Sequence, residues 1–284
     1  MVTKDSSEST VSLGIKAALK VIDGCGIKGS DIDLIIFTSQ FPEYTRPSQA
    51  LIVHNAINGK EEAMVMDMNV NCVGMVTALD TASRYLLQKR SLKRALIIGA
   101  DYMTVHCKEN DEMTYPIFGD AGCAMILKKT EEECGFIDSV SYTNSNEYDI
   151  VKYPSCGSSS LYNENITEDE KKLFSNPGDP KYIIDAAKKS VEKLLKDNEL
   201  ELSDINNFCF SQGSTVLANA CIEAIGMERD KFIYVGDKYG YTGTSSPFIA
   251  LYEGVKSGKI KRGNYIIFWS VGTNWTTNAV LMKY

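Results

Sequence analysis

Histidine is scarce in this sequence, with only two among 284 residues, and the usual motifs of metal and nucleotide sites are missing. It contains no His-Glu-x-x-His pair, no phosphate-binding glycine loop and no Cys-x-x-Cys pairs, so neither a zinc site nor a nucleotide loop is predicted. His54 lies in a helix-like segment, which favours a packed or surface role, and His106 lies in a predicted loop. We therefore expect no metal and no bound cofactor.

Long apolar runs and basic tracts are missing as well. The apolar stretches are broken by Asp, Lys or Asn well before the ~20 residues of a membrane span, and the N-terminus lacks the apolar core of a secretory signal. The net charge of −7, with no long basic tract, argues against nucleic acid as the main partner. Eight cysteines without paired spacing suggest reduced thiols. We expect a cytoplasmic protein that binds neither nucleic acid nor membrane.

The sequence does contain a regular alternation of predicted strands and helices. Short apolar runs predict strands at LIIF (34–37), MVMDMNV (64–70), ALIIGA (95–100), CAMIL (123–127), FCF (208–210), FIYV (232–235), YIIFW (265–269) and AVLM (279–282). Amphipathic patterns predict helices over 11–26, 73–89, 181–197 and 246–259. Unbroken apolar strands that alternate with helices predict an α/β protein whose sheets are covered on both faces. Residues 140–180, rich in Ser, Asn, Tyr, Gly and Pro, are predicted to be a long irregular segment.

Two pairs of segments repeat within the chain. SDIDLIIFTSQ (30–40) is echoed by SDINNFCFSQ (203–212), and SLKRALIIGA (91–100) by KIKRGNYIIF (259–268). The two copies start 173 and 168 residues apart. This near-constant spacing suggests a duplicated α/β unit, whose halves would meet within residues 128–140.

Cys72 is the strongest candidate for chemistry. It lies in DMNVNCVGMVTALDTA (67–82), where a predicted strand gives way to a predicted helix. The free N–H groups and the positive dipole end of a helix N-terminus favour a thiolate, and they can hold the oxyanion formed when an acyl carbonyl is attacked. Gly74 would let a substrate approach the backbone closely. The alternative is that Cys72 is a small buried residue like other cysteines, and the spacing alone leaves both readings open.

Several segments resemble ketoacyl-ACP synthase III and its relatives in the thiolase superfamily over essentially the whole chain. The matching segments are Pro47-Ser48, the Cys72 segment, ALIIGAD (95–101), FGDAG (118–122), YGYTGTSSPFIAL (239–251) and KSGKIKRGNYIIFWSVG (256–272). The resemblance implies a five-layered αβαβα sandwich of two pseudo-symmetric halves, residues 1–130 with the nucleophilic cysteine and residues 131–284. It also implies a homodimer, and acyl-CoA and acyl carrier protein as partners. Family members accept an acyl group on the cysteine and condense it with a malonyl thioester.

Two catalytic positions of this family carry other residues here. Ser211, in a Phe-Ser-Gln-Gly-Ser segment, stands where the family has histidine, and Tyr241 stands where it has asparagine. We expect both hydroxyls to point into the pocket of Cys72 and to be catalytic with it. The family also begins with a strand that the present sequence does not contain before its first helix.

The closing loop VGTN (271–274) keeps one glycine of the family pattern. Gly272 is therefore expected to contact the substrate, as is Gly74. The resemblance implies that the backbone N–H groups of Cys72 and Asn274 form the oxyanion site.

The two replacements bear on which reaction is expected. Each donor lost from a developing oxyanion typically costs ~10²–10³ in rate, and neither Ser211 nor Tyr241 offers Cys72 a good base. Acylation of Cys72 from a CoA or carrier thioester is thus better supported than decarboxylative condensation. The expected function is an acyltransferase of the 3-oxoacyl-ACP synthase III type. The alternatives are a non-catalytic paralogue that forms a heterodimer with an active synthase, and a thioester hydrolase, for which no water-activating base is evident.

Overall fold

The computed structural model describes residues 7–176, 178–273 and 275–284. Its α-helices are α1 (Thr10–Gly24), α2 (Gln49–Ala56), α3 (Gly74–Gln88), α4 (Pro180–Asp197), α5 (Thr215–Ile225), α6 (Gly236–Tyr239) and α7 (Ser246–Lys256). Its strands are β1 (Leu34–Thr38), β2 (Met64–Met68), β3 (Arg94–Asp101), β4 (Ala121–Lys128), β5 (Gly135–Thr143), β6 (Val151–Lys152), β7 (Phe174–Ser175), β8 (Asn207–Phe210), β9 (Tyr265–Gly272) and β10 (Thr276–Lys283).

The first sheet has the strand order β2-β1-β3-β4. Strand β1 runs parallel to both neighbours, and β4 runs antiparallel to β3. All five residues of β1 are buried because both faces of the sheet are covered. Leu34 and Ile36 pack into the centre of the molecule, whereas Ile35 and Phe37 pack against the side that carries α1 and α2.

The second sheet has the order β5-β10-β9-β8. Strands β8 and β9 are parallel, and β10 is antiparallel to both of its neighbours. Cys209 faces the centre of the molecule, while Phe208 and Phe210 pack with the buried faces of α4 and α5. The alternation follows from the two-residue period of a strand.

The helices and sheets stack in five layers. Helices α1 and α2 cover the outer face of the first sheet, α3 and α7 lie between the sheets, and α4 and α5 cover the outer face of the second sheet. The order αβαβα is the one implied by the resemblance. The repeated segments form corresponding strands, since SDIDLIIF leads into β1 and SDINNFCF into β8. The division at residue 130 stays a prediction; β4 ends at Lys128 and β5 begins at Gly135.

One predicted strand is wrong. The segment FIYV (232–235) forms only an isolated bridge between Phe232 and Phe208. The side chain of Gln212 instead forms hydrogen bonds with the backbone of this segment. Its Nε2 donates to the Ile233 carbonyl at 2.5 Å, and its Oε1 accepts from the Val235 N–H at 2.7 Å.

The irregular segment is also shorter than predicted. Residues 135–143 form β5, an edge strand. Its Asp and Ser residues interrupt the apolar pattern by which a strand is predicted from sequence. The later part contains only the short antiparallel pair β6 and β7.

Candidate active site

Cys72 lies in the tight turn that joins β2 to α3. The turn is closed by the Val73 N–H, which donates to the Val70 carbonyl at 3.2 Å, and by the Gly74 N–H, which donates to the Asn71 carbonyl at 3.1 Å. Asn71 has a φ of 52°, a left-handed conformation that asparagine tolerates better than most residues. The turn buries Cys72, which is 3% exposed, in the middle of the molecule.

Gln40 is the hydrogen-bond acceptor of the Cys72 thiol. The Sγ–H donates to Gln40 Oε1 at 3.1 Å. The backbone N–H of Gln40 donates in turn to Asp101 Oδ1 at 2.7 Å. Asp101 is fully buried and also accepts from Ser39 Oγ at 2.9 Å and from the Thr244 N–H at 2.9 Å. This carboxylate therefore fixes the loop after β1, and with it Gln40, against the segment before α7.

Sequence reasoning missed Gln40. The available signal was its position two residues after β1, because sites in α/β proteins form at the carboxyl ends of parallel strands.

Ser211 and Tyr241 meet beside Cys72. Ser211 follows β8, and its Oγ donates to the Tyr241 hydroxyl at 3.3 Å. The Tyr241 hydroxyl also interacts with the Cys72 sulfur. The backbone of Tyr241 is held on both sides, since its N–H donates to the Ile117 carbonyl at 2.7 Å and its carbonyl accepts from Gly119 at 2.9 Å. The structure brings the three expected catalytic residues together, and their catalytic roles stay a prediction.

The thiol of Cys72 is protonated at neutral pH. Its pKa is raised to about 11: burial and the charge of Asp101 raise it, while the Tyr241 hydroxyl and the backbone N–H groups of Thr273 and Cys72 act in the opposite direction. Burial also raises the pKa of Tyr241 well above its ordinary value. The expectation that the helix N-terminus favours a thiolate is therefore wrong for the resting protein. Helix α3 begins only at Gly74, and desolvation, which raises the pKa, is the largest contribution at Cys72.

All eight cysteines lie in the described part of the chain as free thiols. Burial alone raises the pKa of Cys209 and Cys221. At Cys72 a hydroxyl and two backbone N–H groups oppose burial. Cys107 has one such donor, the side chain of Thr114, and Cys123 has one backbone N–H, so Cys72 differs in the number of donors around its sulfur rather than in its pKa.

Cys72 lines a cavity of about 400 Å³. Ser211, Ser214, Tyr241 and Gly272 line the same cavity. A Cβ at Gly272 would lie 3.1 Å from the Val70 carbonyl oxygen, so this position lets β9 pass close to the Cys72 turn.

Gly74 has a different environment from the one expected. It is not among the residues that line the cavity in the described chain. A Cβ there would lie 2.9 Å from Thr38 Cβ and 3.2 Å from Thr244 Cγ2. The missing side chain thus allows α3 to pack closely on its neighbours, and the structure gives no support to substrate approach at Gly74. Asn274, the other expected oxyanion donor, lies outside the described residues.

The side chains of both histidines are held by contacts within the fold. His54 Nε2 lies 2.9 Å from the Lys60 carbonyl. His106 stacks on Phe41 with ring centroids 4.9 Å apart, and its Nδ1 lies 2.7 Å from the Tyr153 hydroxyl. Burial, aided by the charge of Lys172, lowers the pKa of His106 to about 4.

The described residues offer neither a metal site nor a membrane-spanning helix. They contain no group of three or more His, Cys, Asp or Glu that could hold a metal ion. None of their helices is long and apolar enough to cross a bilayer.

The chain matches known sequences over most of its length. The sequence profile of 3-oxoacyl-[acyl-carrier-protein (ACP)] synthase III matches residues 66–145, and that of its C-terminal region matches residues 195–284. A beta-ketoacyl-[acyl-carrier-protein] synthase III of Rickettsia canadensis is 30% identical over 280 residues, which are 99% of this chain and 86% of that protein. The chain belongs to the 3-oxoacyl-[acyl-carrier-protein] synthase III family. The synthase III of Clostridium perfringens is 28% identical over 277 residues, 97% of this chain and 85% of the relative.

Solved structures of a synthase III and of OleA have the same fold. The structure of 3-oxoacyl-[acyl-carrier-protein] synthase III from Aquifex aeolicus superposes with a TM-score of 0.88 at 23% identity. The match covers 100% of this chain and 86% of the Aquifex chain. OleA of Xanthomonas campestris superposes with a TM-score of 0.83 at 18% identity, and the match covers 99% of this chain and 84% of the OleA chain. The predicted thiolase-like sandwich is confirmed. The predicted family is confirmed as well, and as a synthase III member the chain is an acyltransferase.

Proposed function

We propose that this synthase III family member takes an acyl group from a CoA or carrier-protein thioester onto Cys72 and transfers it to an acceptor. One observation carries the proposal. The Cys72 sulfur, Ser211 and Tyr241 line a single cavity, and the Tyr241 hydroxyl and two backbone N–H groups surround the sulfur. These donors favour negative charge at the place where an acyl thioester would react.

In the acylation step the Cys72 sulfur attacks the thioester carbonyl. A bond forms between Sγ and the carbonyl carbon, the bond from that carbon to the carrier sulfur breaks, and the thiol proton passes to the departing thiolate. With a pKa of about 11, only about one thiol in a thousand is ionised at pH 8. The Tyr241 hydroxyl and the Thr273 N–H reduce the cost of forming this thiolate.

The oxyanion formed in this step requires hydrogen-bond donors. The backbone N–H of Cys72, at the turn before α3, is one candidate. We propose the backbone N–H of Asn274, which follows β9 in the sequence, as the second donor. Thr273, directly before it, already presents its N–H to the sulfur.

Condensation is the less strongly supported half-reaction. Ser211 and Tyr241 can each donate a hydrogen bond to the enolate of a malonyl thioester, but the Ser211 hydroxyl already donates to that of Tyr241, at 3.3 Å. No histidine lines the described cavity. We therefore propose acylation as the primary activity and treat carbon–carbon bond formation as a separate test.

The partners follow from membership of the family. We propose acyl-CoA and acyl carrier protein as the acyl donors and carriers, without a bound cofactor. We further propose a homodimer located in the cytoplasm. A heterodimer with an active synthase is the alternative arrangement.

The mass of the intact protein tests the proposal. The wild type and a Cys72→Ala variant are incubated with a panel of acyl-CoA thioesters, with Cys25→Ala as a matched control at an exposed cysteine. We expect the wild type and the control to gain one acyl mass and Cys72→Ala to gain none. No adduct with any donor would favour the non-catalytic alternative, which co-purification with an active synthase would then support. Addition of malonyl-ACP to the acylated protein, followed by detection of a 3-oxoacyl product, tests condensation.

A further inference from the structure

A chain of hydrogen bonds runs in one direction through Cys72. Ser211 Oγ donates to the Tyr241 hydroxyl at 3.3 Å. The single hydrogen of that hydroxyl is directed at the Cys72 sulfur, where it favours negative charge. The Cys72 thiol donates in turn to Gln40 Oε1 at 3.1 Å. Tyr241 and Cys72 thus each accept one bond and donate the next, and Gln40 is the last acceptor.

The second end of the Gln40 amide determines which way round the group lies. Its Nε2 donates to the Met103 sulfur at 3.7 Å, and a thioether can accept a hydrogen bond but cannot donate one. The nitrogen therefore faces Met103, and the oxygen faces Cys72. An amide oxygen can only accept, so its partner is the protonated thiol rather than a thiolate.

Gln40 is held in this position by the end of β3 and by the segment before α7. Its backbone N–H donates to Asp101 Oδ1 at 2.7 Å, and Met103, against which its amide lies, is fully buried. Gly243 passes close to the same amide, because a Cβ there would lie 2.7 Å from Gln40 Nε2. These contacts keep the amide oxygen beside the sulfur.

We propose that Gln40 holds Cys72 in the thiol form and so restrains its reactivity in the resting protein. A hydrogen bond accepted from the neutral form of a group opposes the ionisation of that group. Gln40 therefore acts in the same direction as the charge of Asp101 and against the Tyr241 hydroxyl. This restraint adds to that of burial and depends on one amide oxygen, so a single substitution can remove it while the sulfur stays buried.

The S–H stretching vibration of Cys72 tests for this hydrogen bond directly. Its Raman band is isolated as the difference between a protein and its Cys72→Ser counterpart, in which the bands of the other free thiols cancel. Gln40→Met keeps the length of the side chain but offers only a weak acceptor. Because an acceptor lowers the S–H stretching frequency, we expect the Cys72 band to move to higher frequency in Gln40→Met. A band at the wild-type position would overturn the proposal.

The rate of alkylation tests the consequence for reactivity. Iodoacetamide modification of the Cys72 peptide at pH 8 is compared in the wild type, in Gln40→Met and in Asn176→Leu. Asn176 lines the same cavity but is not among the hydrogen-bond partners of the sulfur in the described chain, so it controls for the loss of an amide from the wall. We expect Gln40→Met to react about two- to tenfold faster than the wild type, the effect of one hydrogen bond, and Asn176→Leu to react at the wild-type rate.

Two results of the alkylation experiment would overturn the proposal. One is a rate in Gln40→Met that does not exceed that of the wild type, and the other is an equal increase in Asn176→Leu. Gln40→Leu, which removes the acceptor altogether, takes the place of Gln40→Met in both measurements if the latter does not fold. Neither measurement uses an acyl donor, so both are independent of acyl transfer through Cys72.

Discussion

Removal of the Tyr241 hydroxyl should make Cys72 slower to react. In Tyr241→Phe the sulfur loses the hydroxyl that opposes burial, and Ser211 loses its acceptor at 3.3 Å. The ring and its contact with Phe118, with centroids 5.9 Å apart, are retained. The substitution therefore removes the two hydrogen bonds of this hydroxyl and leaves the wall of the cavity in place.

The size of the effect follows from the charge that the hydroxyl stabilises. A hydrogen bond to a charged group contributes about 1.5–3 kcal/mol, and one pKa unit corresponds to about 1.4 kcal/mol. The pKa of Cys72, about 11 in the wild type, should therefore rise further in the variant. At a fixed pH below 10 the thiolate fraction, and with it the alkylation rate, should fall about ten- to a hundredfold.

Iodoacetamide alkylation of the Cys72 peptide, followed by mass spectrometry from pH 7 to 10, measures this effect. The wild-type rate should rise about tenfold per pH unit over the whole range, because the thiol titrates only near pH 11. Tyr239→Phe is the matched control, since its hydroxyl donates to Glu253 at 2.6 Å rather than to the sulfur, and the exposed Cys25 serves as the reference thiol in each sample. A wild-type plateau near pH 8, or faster alkylation in Tyr241→Phe, would refute the reasoning.

Three further predictions concern stability. Asp101→Ala should lower the free energy of unfolding by about 3–6 kcal/mol, because it leaves several buried donors without an acceptor; an unchanged urea midpoint would contradict this role. Gly74→Val should lower the free energy of unfolding by about 1–3 kcal/mol through overpacking, since a Cβ added at Gly74 would lie 2.9 Å from Thr38 Cβ, and a variant as stable as the wild type in thermal unfolding would disprove the close packing. The folded-state pKa of His106 is lowered from 6.5 to about 4, so unfolding binds a proton and stability should fall as the pH drops from about 6.5 to about 4. His106→Gln should reduce this loss in denaturant titrations at each pH, and an identical pH dependence in both proteins would exclude His106 as its source.

The position of Cys72 between a strand and a helix could be predicted because a local pattern determines it. The apolar strand before Cys72 and the helix pattern after it fix the turn between β2 and α3. Ser211 could be placed near it only through the family resemblance, in which it stands at the position of a catalytic histidine. The internal repeat also contained the pattern that would have identified Gln40. Both β1 and β8 are followed by a Ser-Gln pair, of which Gln40 binds the thiol and Gln212 binds the backbone around residues 233–236.

The pKa of the thiol and the use of Gly74 could not be predicted. Desolvation of Cys72 depends on how both halves of the chain enclose it, and no local pattern reports that enclosure. The contacts of Gly74 with Thr38 and Thr244 join residues distant in sequence. The depth of the cavity likewise depends on packing between β8, β9, α4 and α5.

Acyl transfer through Cys72 is the central claim, and the mass of one peptide tests it most directly. The protein is mixed with an acyl-CoA, the reaction is quenched in acid and the protein is digested. The mass of the peptide that contains Cys72 is then measured by mass spectrometry. The account predicts that this peptide gains one acyl group in the wild type, and that no peptide gains one in Cys72→Ala. An unmodified Cys72 peptide after exposure to the full panel of acyl-CoA donors would contradict it.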